Sequence, residues 1–451
     1  MGTTPVAEPL RVLVVAEHAS ARFGGEAALP LHYFRVLRRR GLPVWLITHG
    51  RTRDELSALY PDDPRIVYVE DSALHRAMWR IGRCLPDAIA YPTTGFLSRL
   101  ATQRQARRLS RDLVRAHCID VVHQPMPVSP REPSLLRGLG APVVMGPMNG
   151  GMDYPPAFRH RRGIAERTLI GFGRASAAVL NRVLPGKRRA AALLVANDRT
   201  RRALPSGVCT NVLELVENGV DLGLWQVQTE GRTGDAAATF VFMGRLVDWK
   251  AVDLALHAFA LARGQAPMRL WILGDGGERA RLERLAAELD IAGDAAAVGA
   301  VHFAGWLPQA ECAARLRQAD ALVLPSLLEC GGAVVLEAMS MAKPVIATAW
   351  GGPLDYLDRD CGVLVEPVSR QAIVDGFARA MVELAASPAL RARLGAHGLA
   401  KVRRDFDWEI KVDRMLEVYA DAACWPARSS PAPTLPEHHA RQAAGPKEMT
   451  E

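Results

Sequence analysis

Aromatic residues make up only 6% of this 451-residue chain, and its seven cysteines (84, 118, 209, 312, 330, 361 and 424) form no CxxC pair. Scattered cysteines in odd number argue against a disulfide framework and against a cysteine-held structural metal. Aromatics so few, and none interleaved with the basic clusters, offer single-stranded nucleic acid no stacking platform. No apolar run approaches the roughly 18 residues of a membrane span. The opening MGTTPVAEPLRVLVVAEH lacks a basic stretch followed by an apolar one, so no secretory leader is expected and a reducing, cytoplasmic setting is. A GxGxxG loop with a following acid is missing too. His123 ends an apolar run with no second imidazole close behind it, so no metal pair is visible, and a lone histidine there is more often a satisfied core residue. Asp358/Asp360 and Asp405/Asp407 stand as isolated acid pairs, the usual pattern of caps and solvated turns.

What is present is a length sufficient for two or three cores, with 49% hydrophobic residues. The net charge of +8 is unevenly spread. Residues 1–225 hold 32 Lys/Arg against 19 Asp/Glu, a balance of +13, while the rest holds 24 against 29, a balance of −5. The first half is therefore expected to meet something anionic, and a membrane surface fits better than nucleic acid. The basic run over 158–190 is by default a solvated helical face, with a membrane contact as the alternative.

Strand-like runs alternate with helical periodicity along the whole chain. In the first half they are Arg11 to Ala16, Val44 to Thr48, Asp120 to His123, Pro142 to Gly146, Leu193 to Ala196 and Val212 to Val216; residues 71–116 read as helical and basic. In the second half they are Thr239 to Met243, Arg269 to Leu273, Val301 to Phe303, Ala321 to Leu324 and Pro344 to Thr348. Such alternation implies α/β architecture with parallel sheets covered on both faces. Two sets in tandem imply two Rossmann-like, doubly wound domains facing across a cleft, 1–222 and 223–405. A loop or linker is expected at GRTGDAAA, and a Pro/Ala-rich disordered tail over 428–451.

One segment concentrates the chemistry: LPSLLECGGAVVLEAMSMAKPVIAT, Leu324 to Thr348. A strand leads to Glu329, then Gly331-Gly332, then an apolar helical pattern carrying Glu337. Glycines let backbone amides approach a ligand, and a helix N-terminus attracts an anion. Glu337 sits about one turn further, roughly 5 Å along the axis. A carboxylate among Val334, Val335, Leu336 and Ala338 is costly to bury unless something pairs with it. Hydroxyl acceptor, anion seat, hydroxyl acceptor is the order of a sugar–diphosphate–ribose string. Arg245, just after a strand, and Lys250 could neutralise a diphosphate; the bland alternative is two solvated cations. Gly24-Gly25 is a weak ligand loop or a simple turn, and Gly274-Asp275-Gly276-Gly277 reads as a turn.

Together these pieces resemble the retaining glycosyltransferases of the GT-B fold, family 4. The likeness runs from about residue 10 to 422 through FGGEAALPLHYF, DVVHQP, GPMNGG, VENGVDL, MGRLVDWKAVDLAL, ILGDG, VHFAGWLP, ADALVLPSLLEC and EAMSMAKPVIATAWGGPLDYL. FDWEIKVDRMLEVY resembles the closing helix, about 406–424, that returns to the first domain. The resemblance implies that Arg245 and Lys250 bind the donor diphosphate and that Glu329 lies against the donor sugar. It implies that Glu337 takes the ribose hydroxyls and that backbone at Gly331, Gly332, Ala333 and Val334 holds phosphate oxygens. Gly25 would close on the diphosphate, Gly305-Trp306 would meet the base, and His123 would touch the sugar. Departures are Glu329-Cys330-Gly331-Gly332 for the usual E-G-F-G, Leu354-Asp355 after GGP, and Pro125 where a second histidine is common. The implied activity is metal-independent transfer from a nucleotide-diphosphate sugar to a glycan or lipid-linked glycan, in surface polysaccharide or glycolipid assembly. No cofactor is expected beyond that co-substrate. A nucleotide-sugar epimerase of the same fold and a non-catalytic nucleotide-sugar binder remain as alternatives.

Overall fold

The computed structural model describes residues 9–161, 163–227 and 237–424. The proposed tail over 428–451 and most of the GRTGDAAA stretch lie outside the described residues.

Thirteen strands, among the described residues, form two sheets. The first is built from β1 (Val12–Val15), β2 (Val44–His49), β3 (Ile66–Val69), β4 (Val121–Gln124), β5 (Val143–Met148), β6 (Ala192–Val195) and β7 (Val212–Glu214). Its order is β3-β2-β1-β4-β5-β6-β7. The second contains β8 (Ala238–Met243), β9 (Met268–Leu273), β10 (Val301–Gly305), β11 (Ala321–Leu324), β12 (Val345–Thr348) and β13 (Gly362–Val365). Its order is β10-β9-β8-β11-β12-β13. Neighbours in both sheets pair in parallel, for example Val12 with Val44 and Leu322 with Val345. The runs VLVV, ALVL and VIAT are buried throughout, as strands covered on two faces must be.

Both sheets are doubly wound, and in each the strand order reverses once: between β1 and β4 in the first, and between β8 and β11 in the second. Ligands of open α/β sheets dock outside the carboxyl ends of the strands at such reversals.

The halves are stitched twice. Val220 N–H donates to Phe406 C=O at 2.9 Å, where the chain returns to the first half. The helix Trp408–Ala423 then buries Trp408, Val412, Met415, Tyr419 and Ala422 in the core beneath β1 and β2. In exchange Tyr154 and Phe158, from the first half of the sequence, pack into the second half's core.

Candidate functional site

At the second reversal point the strand-end loops are tied together by their backbones. Gly244 N–H reaches Leu273 C=O (3.0 Å), Gly274 N–H reaches Gly305 C=O (2.8 Å) and Leu327 N–H reaches Trp249 C=O (2.9 Å). The approach is so close that a Cβ on Gly274, at φ +146°, would lie 1.9 Å from Gly244 C=O, so this turn admits only glycine. Lys250 is joined directly to Glu329: its Nζ donates to Oε2, with both side chains largely buried. Arg245 projects from the same loop, exposed and without a side-chain partner among the described residues. Gly305 closes β10 at φ +77°, and Trp306 beside it is 72% exposed.

Gly332, at φ +82°, starts the helix Ala333–Ser340, and no side chain caps that end. Its uncapped first turn, with Ala333 and Val334, leaves amide hydrogens and the positive dipole end directed outward. A Cβ on Gly332 would sit 3.0 Å from Glu329 Cγ, so the helix start and Glu329 adjoin. Glu337 lies one turn in. Its carboxylate has no hydrogen-bond or ion-pair partner among the described residues, and burial pushes it from its ordinary 4.5 up to about 8. Burial pushes the Cys312 thiol up to about 11, and the charge of Glu337 adds to that.

The first half holds this loop from the other side. Asn149 Nδ2 donates to Glu217 Oε1 and to Cys330 C=O, both at 2.8 Å. Arg199 Nη2 reaches Asn149 Oδ1 at 3.0 Å and Cys330 C=O at 3.4 Å. Asn197 Nδ2 donates to Asp355 Oδ2 at 2.8 Å, and Trp350 Nε1 to Asp153 C=O at 2.8 Å. Gly331 has no room for a side chain, since a Cβ there would lie 2.3 Å from both Asn218 Nδ2 and Glu217 Oε1. Burial raises Glu217 and lowers Lys411, whose ammonium donates to Val216 C=O. Asn149, Glu217 and Asn218 lie in the motifs GPMNGG and VENGVDL, whose sequence alone gave these residues no role. Arg199 and Asp355 gave no signal beyond the Leu354-Asp355 departure.

At the first reversal point a cavity of about 620 Å³ opens between the ends of β1 and β4 and reaches Met152 and Cys330. It is lined by Glu17, Glu26, Tyr91, Arg99 and Glu132 among others. Gly25 lies at the start of the helix Gly25–Arg39, with open space where its Cβ would be, next to Glu26.

His123 is not at either site. It is fully buried, its Nε2 2.7 Å from Gly146 C=O and its Nδ1 2.7 Å from the Tyr419 hydroxyl, with Tyr33 edge-on at 4.8 Å. The sugar-contact role implied for it is therefore corrected: its ring nitrogens are consumed by the core, and desolvation lowers it to about 4. One group of metal-ligand type exists among the described residues: His49, Asp71 and His75, with ligand atoms within 4.8 Å of one another. Both nitrogens of His75 already have partners in Ser72 and Thr102, and Arg51 shares Asp71.

Residues 229–398 match the family model for glycosyl transferases group 1. That segment contains Arg245, Lys250, Glu329 and Glu337. Over 185 residues the chain is 33% identical to the lipopolysaccharide core biosynthesis glycosyltransferase LpsE of Rhizobium meliloti, covering 41% of this chain and 50% of the relative. The chain spans about half the length of the curated relatives it matches. Among solved structures it is similar to sucrose-phosphate synthase from Thermosynechococcus elongatus, with a TM-score of 0.63, 18% identity, and 91% and 98% of the two chains covered. It is also similar to HepE of Anabaena in complex with UDP and glucose, with a TM-score of 0.62, 14% identity, and 91% and 99% covered. These likenesses establish the fold, two facing Rossmann-like halves of the GT-B type.

Proposed function

We propose that the chain is a glycosyltransferase that moves a sugar from a nucleotide-diphosphate donor to an acceptor hydroxyl with retention of configuration, as the family 4 resemblance implies. The observation that carries this is the meeting of Lys250, Glu329 and the uncapped helix at Gly332 at the second reversal point, one turn from the unpartnered Glu337. In the reaction the bond from the anomeric carbon to the diphosphate oxygen breaks and a bond to the acceptor oxygen forms. The departing phosphate takes the acceptor's proton. Arg245, Lys250 and the helix amides stabilise the charge that grows on the leaving group, without a metal. Glu329 holds the sugar while paired to Lys250, and the closed cleft keeps water out. HepE was solved with UDP, so uridine diphosphate is the first probe. A thermal-shift panel of nucleotides and nucleotide sugars tests the reading: a donor nucleotide should raise the melting temperature of the wild type and fail to do so in Lys250→Ala. NMR of the product's anomeric configuration tests retention, and an inverted product refutes it.

The acceptor we propose is a glycan, free or lipid-linked, met at an anionic cytoplasmic membrane surface, in surface polysaccharide or glycolipid assembly. No described helix is long and apolar enough to cross a membrane. The helix Ala73–Gly82 buries only His75 and exposes Leu74 (47%), Trp79 (61%) and Ile81 (50%) beside Arg76, Arg80 and Arg83. Ile89, Tyr91 and Leu97 in the following segments are exposed as well, and exposed apolar residues beside arginines are the composition of an interfacial anchor. Flotation with phosphatidylglycerol vesicles should exceed that with phosphatidylcholine and fall in Trp79→Ser/Ile81→Ser; equal failure on both vesicles removes the membrane from the proposal.

A further inference from the structure

The cavity at the first reversal point carries a local charge opposite to that of the half that contains it. Its cations are engaged: Arg99 Nε is bonded to Glu132 Oε1 at 2.6 Å with the guanidinium over the Tyr91 ring, and Arg131 Nε points to Ala203 C=O at 3.3 Å. Its other two carboxylates are not engaged. Glu26 has no partner among the described residues, and Glu17 meets only the His18 ring, 3.8 Å away. Desolvation lowers that imidazole to about 4, so it brings no charge at neutral pH. Desolvation raises Glu17 against the opposing charges of Arg99 and Arg51, and desolvation together with Glu132 raises Glu26, which is exposed at the cavity. Ionised carboxylates accept hydrogen bonds and cannot donate them. They are matched by hydroxyls and repelled by phosphates and other carboxylates. Glu26 and Glu132 both act electrostatically on their surroundings here, and Glu26 is felt as far as Cys330 on the donor loop. Tyr91 lines the cavity and is 67% exposed, so the cavity opens to the surface there.

We propose that this cavity takes the uncharged, polyhydroxyl terminal sugar of the acceptor, with Glu17 and Glu26 accepting its hydroxyls, and that the same two carboxylates exclude acceptor termini carrying a phosphate or carboxylate. The inference rests on the glycosyltransferase reading. It assigns the basic surface of the first half to the membrane side and not to the acceptor group itself.

The test uses the full chain saturated with UDP. Methyl glycosides of glucose, galactose and mannose, each in neutral, uronate and 6-phosphate form, are titrated by saturation-transfer NMR. In at least one series the neutral form should bind at least about 10-fold tighter than its anionic counterparts. In Glu17→Gln/Glu26→Gln that margin should fall to about 3-fold or less, and in the single Glu26→Gln variant it should be intermediate. Anionic forms binding as well as neutral ones in the wild type, an unchanged margin in the variants, or no neutral glycoside binding at all overturns the proposal. Stabilisation by UDP is read in the same samples. Its loss in the wild type refutes the donor site, while its retention with no acceptor margin refutes only the cavity.

Discussion

Replacing Glu337 by Gln separates a ligand-binding carboxylate from an ordinary helical one. The wild-type carboxyl is raised from 4.5 to about 8 by burial. At pH 7 it is therefore about nine-tenths protonated. A vicinal diol donates two hydrogen bonds and needs two acceptors, which an ionised carboxylate supplies and a protonated one does not. Binding of a ribose there should expel about 0.9 proton at pH 7 and about 0.1 at pH 9. Calorimetric titration with UDP in buffers of different ionisation enthalpy reads this number. The comparison is with Glu337→Gln, which removes Glu337's contribution and leaves that of the phosphate. The free protein should report the same group. Because the folded pKa lies above the unfolded one, the folded chain keeps a proton between pH 4.5 and about 8 that the unfolded chain has lost. Stability contributed by that proton is full below pH 4.5 and is lost as pH rises through 8. The whole shift corresponds to at most about 5 kcal/mol, and the partial opening of the side chain to the cleft reduces this to about 2–3 kcal/mol. Glu337→Gln should therefore gain melting temperature over the wild type as pH is raised from 5 to 9, by roughly 5–10 °C. Parallel melting curves, together with equal proton release in the two proteins, would refute the placement of Glu337 at the ribose.

Three further outcomes follow from the same geometry. Arg245→Ala and Lys250→Ala should each lower kcat/KM by about 2–4 kcal/mol of transition-state stabilisation, roughly 30- to 1000-fold, with circular dichroism unchanged; near-wild-type turnover in both removes the leaving-group argument. Gly331→Ala drives a methyl into Asn218 and Glu217, so it should cost about 1–3 kcal/mol of stability and weaken UDP binding together; a neutral effect on both would mean the loop is not held as described. Tyr419→Phe removes the hydroxyl on His123 Nδ1 and should cost about 1 kcal/mol in a melting experiment with turnover unaltered; a fall in kcat with stability intact would restore a catalytic role to His123.

The alternation of apolar runs and helical periods was enough to reveal two parallel sheets, because strands such as VLVV and VIAT are buried on both faces and read as continuous apolar runs. The strands it did not reveal, β3 and β13, lie at sheet edges and are only partly buried, so IVYV and GVLV carry a weaker pattern. Lys250, Glu329 and Gly332, which the structure brings together, were legible as a cluster because loop chemistry sits in short segments next to strand ends. At His123 the resemblance misled while the lone-histidine reading held, because a family position says nothing about which side chains from distant segments, here Tyr33 and Tyr419, close over it. The cavity acids escaped notice for another reason. A balance of +13 over residues 1–225 is a sum, and it hides a pocket where Glu17 and Glu26 outnumber the free cations.

The two reversal points are mechanically one site. The peptide of Cys330 sits between Glu329 at the second reversal point and Asn149 and Arg199 from the first half, and its carbonyl accepts from both of the latter. The missing Cβ of Gly331 is what lets Glu217 and Asn218 reach that peptide. Gly352 N–H donates to Glu329 C=O at 2.7 Å, and a Cβ on Gly351 would strike Met152, so the loop before Asp355 is trapped in the same way. Glu329 therefore cannot shift against the helix start at Gly332 without disturbing Asn149 at the wall of the cavity. On the proposed function, an acceptor in the cavity and a donor at the helix start would bias the same few backbone groups. Coupling between their affinities follows from this shared loop and must be reciprocal in the two directions of titration.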